Sequence, residues 1–83
     1  MEYELSLHAR KVLDERKIPL EWMARTLFRP ELTLPDPSDP SIERRYRRIP
    51  EFGGRVLRVA VNKSVAPNRV VSIFFDRGMK GKL

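Results

Sequence analysis

Arg44-Arg45-Tyr46-Arg47-Arg48 is the stretch of this 83-residue chain best equipped for chemistry. Guanidinium groups grip phosphate in a two-point fork, and a tyrosine ring among them can stack on an unpaired base. Alternation along a strand would send Arg44, Tyr46 and Arg48 to one face and Arg45 and Arg47 to the other, so one RNA could not meet all five. The competing reading is a solvated edge strand that its charge protects from aggregation. Arg55, Arg58 and Arg69 follow on or beside neighbouring strands. Arg58 either extends a cationic surface, where it would steady the extra negative charge of a phosphate transition state, or pairs with Asp76 or Glu43.

His8 is the only histidine. Its titration range suits acid–base work, and RNA cleavage by an attacking 2′-hydroxyl needs both a base and an acid. Placed at a helix start beside Ala9, it reads more readily as a structural histidine bonded to a backbone carbonyl or an arginine. Glu15-Arg16 offers Arg16 as a proton-transfer group or, more simply, as a cation at a helix carboxyl end. One histidine, no cysteine and scattered carboxylates supply no first-row metal site. Ser6 has no histidine system around it, and the four glycines form no phosphate cradle leading into a helix. No cofactor is expected.

The chain carries 17 Lys+Arg against 11 Asp+Glu, a net charge of +6. Residues 1–43 hold six basic and nine acidic side chains, whereas residues 44–83 hold eleven basic and only Glu51 and Asp76 as acids. The positive excess therefore sits wholly in the second half, which favours a polyanion or an acidic protein as partner. Length allows one small domain over 1–83 and rules out an enzyme with a cleft between two domains. The absence of cysteine argues against a disulfide-stapled module and for a reducing compartment. The acidic start Glu2-Tyr3-Glu4 lacks the apolar stretch of a secretory signal, and apolar runs of three residues cannot span a bilayer. A soluble cytoplasmic protein without membrane contact is the expectation.

The elements that must carry these residues follow from spacing. Ser6 caps a helix through Lys17, with Ala9, Val12, Leu13 and Arg16 along one stripe. Ile18-Pro19 breaks it, and a second helix over Leu20–Phe28 buries Trp22, Met23, Thr26 and Leu27; the two lie as a hairpin. Tyr3 and Leu5 alternate with glutamates as a short strand would. Glu31–Leu34 is a short strand, and residues 35–41 form a stiff, exposed proline-rich loop. Ile42–Ile49, Arg55–Lys63 and Arg69–Asp76 are extended, the last apolar enough for a central strand covered on both faces. The tail 77–83 is expected to fray. The fold class is α+β, with two N-terminal helices on a three- to four-stranded antiparallel sheet.

Ser6-Leu7-His8-Ala9, Glu15-Arg16 and Ile18 ahead of a second helix ending at Pro30 resemble the bacterial domain-of-unknown-function family 4258. Arg44–Pro50, Gly54-Arg55-Val56-Leu57-Arg58-Val59 and Arg69–Arg77 fit the same resemblance, which covers nearly the whole chain. Val12 stands where many members have arginine, and Lys17 where glycine usually ends the helix. The family is similar in layout to BrnT-type and RelE-type toxins of toxin–antitoxin systems, which implies RNA cleavage and an acidic antitoxin that masks the basic face. The resulting expectation is a toxin-like, metal-independent endoribonuclease or RNA-binding protein of RelE-like architecture. In it Arg44, Arg45, Tyr46, Arg47, Arg48 and Arg55 contact RNA, and His8, Arg16 and Arg58 serve cleavage. The alternative is a non-catalytic module that docks an acidic protein through the same face. An exposed sheet edge could also pair two copies into a homodimer.

Overall fold

A computed structural model of the chain describes residues 2–83. Its elements run β1 (Tyr3–Leu5), α1 (Leu7–Glu15), α2 (Leu20–Phe28), β2 (Leu32–Pro35), β3 (Ile42–Ile49), β4 (Arg55–Asn62) and β5 (Asn68–Phe75). Single 3₁₀ turns follow β3, at Pro50–Phe52, and β5, at Arg77–Met79. The fold is α+β, but the sheet differs from the expected antiparallel meander of three or four strands. It has five strands in the order β1-β5-β4-β3-β2, and β1 runs parallel to β5. The three residues of β1 gave too short an alternation to reveal a partner 65 residues away.

Both helices cover one face of the sheet. Ala9, Ile18, Met23 and Leu27 meet Ile49, Leu57, Val59, Val61, Val70 and Ile73 in one core, rimmed by Tyr3, Leu5, Trp22, Phe28 and Phe75. Among the described residues no helix covers the other face, so β5 is an interior strand covered on one side only. Its Phe74 lies opposite Arg58 on the uncovered face, and a bulge between Ala60 and Val61 resets the register beyond that point. No helix among the described residues is long and apolar enough to cross a membrane.

Local chemistry fixes the helix ends. The Ser6 hydroxyl accepts from the Ala9 N–H at 3.0 Å, while the Ser6 N–H donates to the Val70 carbonyl at 2.9 Å. The start of α1 is thereby capped and tied to β5. At the other end Ile18 N–H donates to Leu13 and Lys17 N–H to Asp14, the paired bonds of a Schellman stop. Lys17 takes the left-handed position with φ +53°. The backbone of Lys17, rather than Pro19, ends α1, and Pro19 serves as the residue that opens α2.

A side chain at a left-handed position costs about 1 kcal/mol relative to glycine. Lys17→Gly is therefore expected to raise the unfolding free energy by about 0.5–1 kcal/mol, measured as a higher urea midpoint at unchanged slope. An unchanged or lower midpoint would show that the lysine side chain offsets the strain.

Candidate anion site: a basic groove with an aromatic floor

Register decides which arginines can act together. Tyr46 pairs with Arg58, Arg44 with Ala60 and Arg48 with Val56, so all of them share the uncovered face with Phe74. Arg45 and Arg47 point to the helix side. There Arg45 Nη1 donates to the Leu27 carbonyl at 2.8 Å and Arg47 Nη1 to the Arg29 carbonyl at 2.7 Å. These carbonyls belong to the last turn of α2, where helix geometry leaves acceptors without donors and concentrates negative potential. The two arginines close a helix end. Arg45 also holds Glu43 at 2.9 Å.

On the uncovered face the arginines are matched by acids. Arg44 pairs with Asp36 at 3.0 Å, Arg48 with Glu31 at 2.8 Å, Arg69 with Glu4 at 3.3 Å, and Arg58 approaches Asp76 at 3.6 Å. Asp36 is further held below its usual range by the Ser38 hydroxyl and N–H, which donate to it. Tyr46 lies between the arginines and is only 3% exposed, so its ring is not available to stack on a base. The run that dominates the sequence is thus committed to ion pairs and a helix end.

His8 is exposed near the start of α1, which packs on β5 and β1, whereas the arginine run lies on β3 with β4 between. Eight residues of helix separate it from Arg16, roughly 12 Å along the axis. The structure does not bring His8 to the arginine run.

Two of the candidate residues, Arg16 and Arg55, do converge, at the end of the sheet where α1 stops, β4 begins and β5 finishes. An open groove of about 1140 Å³ lies there. One wall is the α1 stop, with Arg16 and Lys17; the other is the end of β5 and its following turn, with Asp76, Arg77 and Lys80; Arg55 stands at the start of β4. Trp22, Phe52, Phe74 and Phe75 supply the apolar lining. Phe52 packs 5.0 Å from Phe75 and 5.6 Å from Trp22, centroid to centroid, and remains 39% exposed. The Arg55 guanidinium sits 4.5 Å over the Phe52 ring. Arg58 reaches the groove indirectly, its guanidinium stacked 3.8 Å over Phe74.

Among the described residues, Arg16, Lys17, Arg55, Arg77 and Lys80 make no ion pair. The groove's two carboxylates, Glu15 and Asp76, each have a basic neighbour, Lys11 at 3.9 Å and Arg58 at 3.6 Å. Five cations without ion pairs, Arg16 and Lys17 from the first half and Arg55, Arg77 and Lys80 from the second, thus concentrate positive potential at this groove. No group of three His, Asp or Glu side chains that could hold a metal occurs among the described residues. What the arrangement can do is take up an anion that carries a flat ring.

The family model for the domain of unknown function DUF4258 matches residues 5–75. The chain belongs to the DUF4258 family. The matched span includes Arg16, Arg55 and Arg58 and stops one residue before Asp76, so the wall formed by Asp76, Arg77 and Lys80 lies outside it. No curated protein and no solved structure matches the chain.

Sequence reasoning missed most of the groove. Helical spacing places Trp22 at the core, against which it packs, but does not show that it also lines the groove, and Arg77 and Lys80 fall in the tail expected to fray. The one local signal was Phe52, a large aromatic residue in a turn beside Gly53-Gly54. Both glycines adopt positive φ, +67° and +73°, and turn the chain so that Phe52 projects into the groove. Glu51 then clamps this turn to α2, its two oxygens accepting from Arg25 at 2.9 and 2.7 Å.

The Arg25 fork holds the Glu51 carboxyl at about 2, and the side chain and N–H of Arg48 hold Glu31 at about 2, against an ordinary value of 4.5. Both contributions are complete above pH 4.5 and disappear as pH falls toward 2, because protons then favour the unfolded chain. Thermal midpoints are expected to be flat at mildly acidic pH and to fall steeply below about 4.5, and Glu51→Gln should flatten part of that fall. An equally steep fall in the Gln variant would dismiss the clamp as a source of acid sensitivity.

Proposed function

We propose that the protein binds single-stranded RNA in this groove, with bases stacked on the Phe52 ring and phosphates held by Arg16, Lys17, Arg55, Arg77 and Lys80. The observation that carries this reading is the coincidence of five cations without ion pairs and a partly exposed aromatic floor in one open groove. Successive bases stack on aromatic side chains at about 1–3 kcal/mol each, while a basic groove tracks the backbone. A duplex hides its base faces, so the floor favours an unpaired strand.

The resemblance to BrnT-type and RelE-type toxins that the sequence suggests belongs with this reading only as an analogy of fold, and such analogy does not fix chemistry. Cleavage would need a base and an acid beside the scissile phosphate. The groove's lining contains no histidine, so the proposal is binding, in the reducing cytoplasmic setting that the absence of cysteine suggests. An acidic protein could use the same cations but would leave the aromatic floor without a partner of matching shape.

The test uses the single tryptophan as reporter. Titration with a labelled oligoribonucleotide should quench Trp22 and give an affinity that falls with salt at a slope of about −0.7 per phosphate contacted. Phe52→Ala is expected to weaken binding by about 5- to 100-fold. Arg16→Ala and Arg55→Ala should each weaken it and reduce the salt slope by roughly one contact. Arg48→Ala, which removes an ion-paired arginine on the uncovered face, should leave affinity unchanged. Equal losses from Arg48→Ala and Arg55→Ala would move the interface to the uncovered face and defeat the groove reading.

A further inference from the structure

Arg58 is the loosest of the half-buried arginines. Its side chain is 18% exposed, its guanidinium is stacked over Phe74, and its Nε is buried with no acceptor. Nη1 stands 3.6 Å from Asp76 Oδ2, beyond hydrogen-bond reach, whereas Arg44, Arg45 and Arg48 hold their carboxylates at 3.0, 2.9 and 2.8 Å. A half-buried guanidinium with a buried Nε–H that has no acceptor is costly and calls for an explanation. The Phe74 ring holds the group in place at 3.8 Å, and a guanidinium carries paired N–H donors that match a phosphate.

Asp76 is equally divided in role. Its Oδ1 accepts from the Gly78 N–H at 3.0 Å and so forms the turn that carries Arg77, while Oδ2 faces Arg58. Asp76 and Phe74 both line the groove, so a phosphate resting against that wall would meet a carboxylate where a cation lies just behind it.

We infer that Arg58 is a latent phosphate ligand masked by Asp76. The proposal rests on the RNA reading above. A phosphodiester of the bound strand takes the place of Asp76 Oδ2 and makes with Arg58 the charge-assisted hydrogen bonds that the carboxylate does not. Asp76 keeps its bond to Gly78, so the basic wall stays in place. In the unbound protein the carboxylate neutralises Arg58 and repels anions, so it restrains affinity until a phosphate arrives with enough neighbouring contacts to displace it.

Asp76→Asn separates the two roles, because an amide oxygen still accepts from Gly78 N–H but carries no charge. Affinity for a labelled oligouridylate is compared among wild type, Asp76→Asn, Arg58→Gln and the double variant. Asp76→Asn is expected to tighten binding about fivefold in the presence of Arg58 and to have no effect in its absence. Arg58→Lys, paired with Asp76→Asn in the same way, keeps charge over Phe74 and guards against a glutamine variant that merely misfolds; it too should erase most of the gain. A gain of equal size with and without Arg58 would reduce Asp76 to a general source of negative field and overturn the masking. No gain in either background would overturn it as well. Wild type that binds no RNA at all would sink the RNA reading and this inference with it, whereas binding without coupling would sink the inference alone.

Discussion

An α-helix ends in carbonyls that have no donors, and in this chain the last turn of α2 receives guanidinium donors from β3. Arg45 and Arg47 reach from alternate positions of one strand to Leu27 and Arg29, which ties the helix to the sheet at a fixed angle. The Arg25–Glu51 fork gives α2 a second attachment, to the 3₁₀ turn after β3. With both attachments made, Trp22 faces Phe52 and Phe75, and the groove floor exists. The aromatic surface is therefore a consequence of how one helix is anchored.

The same strand explains where the charge goes. Alternation in β3 gives its helix-side arginines to backbone carbonyls and its outward arginines to Asp36 and Glu31. The acids of the first half are drawn across the sheet to neutralise the basic half, and five cations at the far end have no acid to meet them. Surface ion pairs of this kind contribute little stability each, but their arrangement sets the shape of the electrostatic field, and here the field is concentrated at the end of the sheet.

Much of the fold was legible because its elements are strongly patterned. The Leu20–Phe28 helix follows from its apolar stripe and its bordering prolines, and β3, β4 and β5 follow from alternation. The parallel β1–β5 pairing was not legible, since three residues carry no information about a distant partner. The site was less accessible still. Arg44–Arg48 drew attention by density, yet density does not report what each guanidinium will meet after folding, and Tyr46 is packed away beneath its neighbours. The division of the run between two faces did follow from strand period alone. The groove draws Lys17, Trp22, Phe52, Arg55 and Lys80 from five separate segments, and no local window contains that convergence.

The β1–β5 pairing also orders events in time. Partners in the β3–β4 hairpin lie between 6 residues apart, at Ile49 and Arg55, and 20 apart, at Ile42 and Asn62, whereas every β1–β5 pair is separated by 65. Closing the longer loop costs about 2 kcal/mol more in chain entropy than closing the shortest, before any contact compensates. The hairpin that carries Phe52 and Arg55 is thus a local, early-closing unit, while the α1 wall becomes fixed only when Ser6 reaches Val70 across the chain. The two sides of the groove mature on different clocks, and a partly folded chain presents the aromatic half of the site without the basic wall that faces it.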